Sequence, residues 1–476
     1  MTPPFDVAVV GLGPTGATLA NLCGRRGLRT VVYERSANPY PLPRACHLDA
    51  EVARVFQGLG FADDLANLLT VSAGMEYVDA VGKRLFTFEG FEREPLLGWF
   101  EDYVFVQPEI DMMLRRGIER YPCVDVRLGT TAPPLADLLA EATYVVAADG
   151  ATSEVRRSLE IGNIDLGFDE DWLVVDVMVD VMVDDDDVAP SPSSPPSPPS
   201  SSPLPTIIQQ VCDPDRPTTF VPSHGRHRRW EFRIAPGESL DPWTLLADWG
   251  IGPDRAELVR AAPYRFHAVV ADRWRAGPDG RVFIAGDAAH QMPPFMGQGM
   301  CSGVRDAVNL GWKLHEVVSG RSPAALLDTY ESERRPHVEA VIELSVGAGR
   351  LLRDLSAAVR DGRPLTMPEP DAPDPRRWSR LPGLDLGEPF PVGHQLPQPD
   401  RLDERLGEGW AVVSDGSGPV RAPLGVPVVV EPRATFGERA VLVRPDRYIA
   451  AIYPHPPGLC SPPDINGPGG SAAGAG

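Results

Sequence analysis

A short apolar run, Phe5 to Val10, gives way at Gly11 to a glycine-rich turn, and the pattern that follows, Ala17 to Arg26, places its apolar residues at helical spacing. A second run, Thr30 to Tyr33, comes next and ends in Glu34. Strand, turn, helix and strand in this order predict a βαβ unit. Further along, Glu109 to Arg120 predicts a helix, Tyr144 to Ala148 a buried strand and Arg281 to Ala285 another, so the parts of a parallel sheet are scattered over the first two thirds of the chain. Between them, Trp172 to Val183 and Arg229 to Ile234 alternate polar with apolar residues, the signature of an inserted, mostly antiparallel sheet. Met300 to Val318 predicts an amphipathic helix closed by Gly320.

Two segments break the pattern. Pro190 to Pro205 holds eight prolines and seven serines, with Leu204 its sizeable apolar side chain, and predicts a disordered loop that extends back through Asp184 to Asp187. Beyond about Leu351 proline is frequent and apolar strands are expected at Trp410 to Val413, Val426 to Val430 and Ala440 to Tyr453, enough for a small third domain. Gly467 to Gly476 has the composition of a frayed end.

Composition narrows the partners. The 476 residues include 45 basic and 66 acidic side chains, a formal charge of −21, which argues against nucleic acid or an anionic membrane surface and for small-molecule ligands. Six cysteines lie far apart without a CxxC pair or a metal-ligand spacing, so free thiols in a reducing cytoplasm and no metal are expected. The uncharged stretch Val7 to Cys23 follows Asp6 and is interrupted by glycine and proline, unlike a signal anchor.

The turn reads Gly11-Leu-Gly13-Pro14-Thr15-Gly16, with Glu34 eighteen residues after its last glycine. The first glycine suits a tight turn, the second lets backbone amides approach a pyrophosphate, and the third lets helix and strand pack closely. The helix N-terminus carries partial positive charge for phosphate, and Glu34 can accept from an adenosine ribose. This pattern alone fits FAD or NAD. Gly286-Asp287, after a strand and before Pro293-Pro294-Phe-Met-Gly297-Gln298-Gly299-Met300, separates them, because a carboxylate at a strand end suits the hydroxyls of a flavin's ribityl chain.

With Ala148-Asp149-Gly150 between the two, the chain resembles the single-component FAD-dependent aromatic hydroxylases, the family of 4-hydroxybenzoate hydroxylase, and within it the 3-(3-hydroxyphenyl)propionate, polyketide and phenol hydroxylase branch. The resemblance implies an α/β fold: a Rossmann-like FAD-binding domain in three parts (1–71, 101–162, 271–350), an inserted substrate domain (72–100 and 163–270, with the loop 184–205), a C-terminal, thioredoxin-like domain (385–455) and a disordered tail (456–476). It adds Arg35, Arg44 and Gln107 to the cofactor contacts. It also implies NADH or NADPH as transient co-substrate, O2, a flavin C4a-hydroperoxide and an aromatic substrate, with a homodimer as one outcome. His47, His224, His227 and His290 are candidates for deprotonating a phenol, none with an assigned role. Cys301 stands where the family usually has asparagine, and Gly129 to Thr143 reads as a proline break and a short Ala/Leu-rich piece where the family has strands. Signatures of a halogenase or a Baeyer–Villiger enzyme are absent; an inactive flavin-binding protein and an FAD-dependent dehydrogenase are the rival readings.

Overall fold

The computed structural model describes residues 3–88, 96–180, 204–365, 381, 393–417, 420, 422, 425–431 and 440–452. A six-stranded sheet runs in the order 275–276, 282–284, 142–147, 5–10, 30–34, 124–128, parallel except at its first strand. Its central strands are covered on both faces, so Val7 to Val9, Val31, Val32, Val145 and Val146 are fully buried and the sequence reads as unbroken apolar runs. The first helix, Pro14–Arg25, starts at the proline because a missing N–H costs nothing in a first turn. It packs against the helix Gln298–Val318.

Eight strands form the second sheet: 290–291, 256–271, 163–179, 227–233, 218–221, 208–212, 75–79, 84–88, antiparallel except where 208–212 meets 75–79. The strand expected from Trp172 begins nine residues earlier, at Asn163, and within the described residues runs to Val179. One face of this sheet packs Leu173, Val175, Phe220, Trp230 and Phe232 against the short helix Pro242–Ala247. The other face turns toward the first sheet. The α/β fold with an inserted antiparallel sheet is therefore the observed one.

The stretch 129–143 resolves into a loop and a helix, Leu135–Glu141, that follow an edge strand, Val124–Leu128, paired to 30–34. At the far end, strands 428–430, 411–414, 440–443 and 449–452 make a four-stranded sheet. Ala440 to Tyr453 was expected as one strand; a turn at Arg444 to Tyr448, with Arg447 at φ +69°, divides it into a hairpin. This sheet is docked by buried ion pairs, Arg444 to Glu333 (2.8 Å) and Arg54 to Asp403 (2.7 Å). The proline/serine loop, save Leu204 and Pro205, and the tail 456–476 lie outside the described residues. No described helix is long and apolar enough to cross a membrane. The five described cysteines are free.

Candidate active site

Three motifs distant in sequence meet at the carboxyl ends of the first sheet. Gly11, at φ +97°, lies so close to the strand 142–147 that a Cβ there would sit 2.4 Å from the carbonyl of Ala148. Gly286, at φ +60°, backs onto Thr15 Oγ1, which would lie 2.5 Å from its Cβ. Arg156 donates to the carbonyl of Ala288 at 2.9 Å, joining the Asp149-Gly150 segment to Gly286-Asp287. Only backbone without side chains can approach this closely. Asp306, fully buried, anchors the junction by accepting from Gly286 N (3.0 Å) and Arg334 Nε (2.9 Å) and by pairing with His290 Nε2 (2.7 Å). Burial alone would raise its pKa, but these partners hold it below the ordinary carboxylate value.

A single cavity of about 2070 Å³ opens where the motifs converge and extends to the second sheet. Pockets for drug-sized ligands measure roughly 300–1,000 Å³, so this cavity has room for a cofactor and a second molecule. Of the residues expected at a cofactor, Gly11, Gly13, Pro14, Thr15, Glu34, Arg35, Arg44, Gln107, Asp149, Gly150, Asp287, Pro294, Gly297, Gly299 and Met300 line it. Gly16 and Gly286 lie behind the wall, where they let backbones meet. Gln298 also lies behind it; its Oε1 accepts from Arg305 at 3.0 Å. Glu34 accepts from Leu12 N and Ser36 N, each at 2.8 Å, which fixes the carboxylate at the strand end. Gln107 Oε1 accepts from the N–H groups of Arg44 and Ala45 (3.0 and 2.7 Å) and so shapes the loop that carries Arg44.

The cradle fits FAD. A Cβ at Gly13 would meet no protein atom within 4 Å, leaving the helix N-terminus open to an anion. Asp149 Oδ1 is buried without a partner, and Asp287 makes no hydrogen bond to the described residues while facing the cavity. Sequence reasoning missed Arg115. Its basic pair with Arg116 at a helix end reads as solvated, yet Arg115 lines the cavity with Nε and Nη1 buried and unpartnered. A guanidinium in that condition awaits an anionic oxygen. Arg115→Ala is expected to weaken FAD about 10- to 100-fold, the loss of a charge-assisted hydrogen bond of about 1.5–3 kcal/mol, read from quenching of flavin fluorescence on titration.

The four candidate histidines are all engaged. His47 sits between the carbonyl of Gly297 (Nδ1, 3.2 Å) and the carboxylate of Asp102, holding the Pro293–Gly299 loop in place. His290 stacks on Trp274 and pairs with Asp306. His227 Nε2 lies 3.1 Å from Asp176, and His224 meets Thr70 Oγ1 outside the cavity. Cys301 is fully buried with its thiol directed at the carbonyls of His47 and Gly297, and burial pushes its pKa well up, so it acts as a small packing residue.

Fold and cavity together define a dinucleotide-binding protein with a second ligand chamber. Residues 4–137 and 139–345 match the FAD binding domain family, and the chain belongs to that family, in its aromatic hydroxylase branch. It is 37% identical to a probable NADH-specific resorcinol 4-hydroxylase of Rhodococcus jostii (strain RHA1) over 86% of this chain and 79% of that one. It is 34% identical to a 3-(3-hydroxy-phenyl)propionate/3-hydroxycinnamic acid hydroxylase of Mycobacterium sp. (strain JLS) over 92% of this chain and 80% of that one. Among solved structures, aklavinone-11 hydroxylase in a ternary complex with FAD and aklavinone shares the fold, with a TM-score of 0.71 at 23% identity over 95% of this chain and 96% of that one. An anhydrotetracycline hydroxylase from Streptomyces rimosus is equally similar in fold, with a TM-score of 0.71 over 94% of this chain and 95% of that one.

Proposed function

We propose that this chain is an FAD-dependent monooxygenase that hydroxylates a small phenol, with NADH as the donor to test first. The observation that carries the reading is the continuity of the cavity, which joins the three dinucleotide motifs to an aromatic and polar wall on the second sheet. The relatives named for resorcinol and hydroxyphenylpropionate support the substrate class, and the relative named NADH-specific supports the donor. FAD, when bound, would supply the redox chemistry that links a nicotinamide donor to O2.

The protein's part is binding, orientation and dryness. Arg115, Asp149, Asp287 and the N-terminus of Pro14–Arg25 would hold the cofactor's polar groups. The helix Gln298–Val318 points its N-terminus into the cavity, where the dipole favours negative charge. Phe266 and Phe295 line the chamber and pack on the buried Trp172, with ring centroids 5.8 and 5.4 Å from it, so this wall excludes water. Net negative charge and free thiols suit a cytoplasmic enzyme without nucleic-acid or membrane partners, and a homodimer is part of the same proposal.

FAD-loaded protein should oxidise NADH faster when resorcinol or 3-(3-hydroxyphenyl)propionate is present and should release a product heavier by one oxygen atom. Anaerobic reduction of the bound flavin by the phenol itself, with no NADH present, would point instead to a dehydrogenase. Loss of both stimulation and product across a broad phenol panel would leave a flavin-binding protein without this activity.

A further inference from the structure

Strand register sets a row of side chains along the chamber wall. Glu231 is paired with Val174 on one side and Thr219 on the other, Thr219 with Gln210, and Gln210 with Tyr77. Directly paired residues share a face of the sheet, and Glu231, Thr219, Gln210 and Tyr77 all line the cavity. The neutral members satisfy one another: Thr219 Oγ1 donates to Gln210 Oε1 at 2.8 Å, and Tyr77 stacks on Phe86 at 4.3 Å. Glu231 differs. It is 5% exposed, its remaining surface belongs to the cavity, and no described residue gives it a hydrogen bond or an ion pair. A buried carboxyl without a protein partner is rare and costly. Its partner therefore comes from whatever fills the chamber.

We propose that Glu231 is the base that takes the proton of the substrate's phenolic hydroxyl. The phenol O–H bond breaks, a carboxyl O–H bond forms, and the electron pair stays on the phenolate oxygen. That pair is shared with the ring carbons ortho and para to the oxygen, which are the positions that take up an electrophilic oxygen. The inference rests on the reading of this chain as a phenol hydroxylase and adds the group that prepares the ring.

The surroundings suit the task. Burial pushes Glu231 up to about 7, Arg229 on its own strand and Arg260 on 256–271 pull it down, and Asp176 on 163–179 pushes it up. Cys46, on the loop packed against it, is held neutral by burial, its thiol pushed up to about 11. Thr219, on the remaining neighbouring strand, carries no charge. A base poised near the working pH transfers protons best. Asp176 is a single anion between two guanidiniums, at 2.8 Å from Arg229 and 2.6 Å from Arg260. The surplus positive charge stabilises the phenolate once the proton has moved.

The test compares FAD-loaded wild type with Glu231→Gln, using resorcinol as probe. In the wild type, kcat/KM should rise through about pH 7. In E231Q the rise should move toward the ionisation of a free phenol, near ~10, with activity at pH 7 down about 100-fold. A second readout needs no turnover: without NADH, the ultraviolet phenolate band of bound resorcinol should grow in near pH 7 in the wild type and only at the higher pH in E231Q. Glu231→Asp should restore part of the low-pH band. An unchanged pH profile and phenolate band in E231Q would overturn the role of Glu231 while leaving phenol hydroxylation standing. Wild-type enzyme that binds and hydroxylates resorcinol with no phenolate band below pH 9 would overturn it whatever the variant does. A wild type that accepts no phenol at all would overturn both readings.

Discussion

Gly16→Ala is expected to purify without FAD and to melt below the wild type. The new Cβ would lie 2.0 Å from the carbonyl oxygen of Gly11 and 3.4 Å from Val9 Cγ1. Both obstacles belong to the strand and turn that define the site, so relief requires the helix Pro14–Arg25 to move off the sheet. Backbone displacement of that kind costs about 1–3 kcal/mol, and it also carries the helix N-terminus away from the pyrophosphate. Gly13→Ala is the informative control. Its Cβ would meet no protein atom within 4 Å, so the folded apoprotein should keep its melting temperature while FAD binding falls, because the methyl group occupies the approach of the phosphates. Differential scanning calorimetry of the two apoproteins, together with flavin content, separates the cases. Equal melting temperatures for G16A and wild type would show that the third glycine has no packing role.

The glycine turn and the strands around it were legible because their demands are local. A glycine whose Cβ would lie 2.4 Å from a neighbouring carbonyl, or a strand covered on both faces, leaves its mark in a few consecutive residues. That is why Gly11, Gly13 and Gly16, and the runs at Phe5 and Thr30, could be placed from the sequence, and why Gly286-Asp287 could be matched to a strand end. Arg115 and Glu231 were hidden by the opposite circumstance. The strand 227–233 alternates Trp230 and Phe232 with His227, Arg229, Glu231 and Arg233, and such alternation normally means one face in the core and one in water. Here the polar face meets the first sheet and the cavity, and no local signal distinguishes water from a second domain. The terminal hairpin was missed for a simpler reason: Arg444 and Asp446 look like ordinary interruptions of a surface strand, while the structure buries both in a pairing with Glu333 and Trp312.

Asp176→Asn should be among the most destabilising single changes in the second sheet, and its effect should reach the cofactor. Asp176 is fully buried and accepts from Arg229 Nε at 2.8 Å and Arg260 Nη2 at 2.6 Å, with His227 close by. Removing its charge leaves two guanidiniums buried without a counter-ion, and breaking a buried pair in this way costs about 3–5 kcal/mol. Arg229 also donates to the carbonyls of Pro43 and Arg44 at 2.8 and 2.7 Å, so a displaced Arg229 loosens the loop that brings Arg44 to the cavity. Burial raises the Asp176 pKa, but Arg229, His227 and Arg260 more than offset this and hold it well below the ordinary carboxylate value. A carboxyl whose folded pKa is depressed contributes its full stability above the unfolded value, near ~3.9, and loses it as pH falls toward the folded one. Wild type should therefore be markedly more heat-resistant than D176N at pH 7, with the gap narrowing as the solution is acidified below about pH 4. The substitution also withdraws an anion that pushes Glu231 up. Where D176N retains enough FAD to assay, its phenol-dependent rate should begin to rise at a lower pH than the wild type's. A rising limb that stays in place would mean that Asp176 stabilises the sheet without tuning the carboxyl beside it.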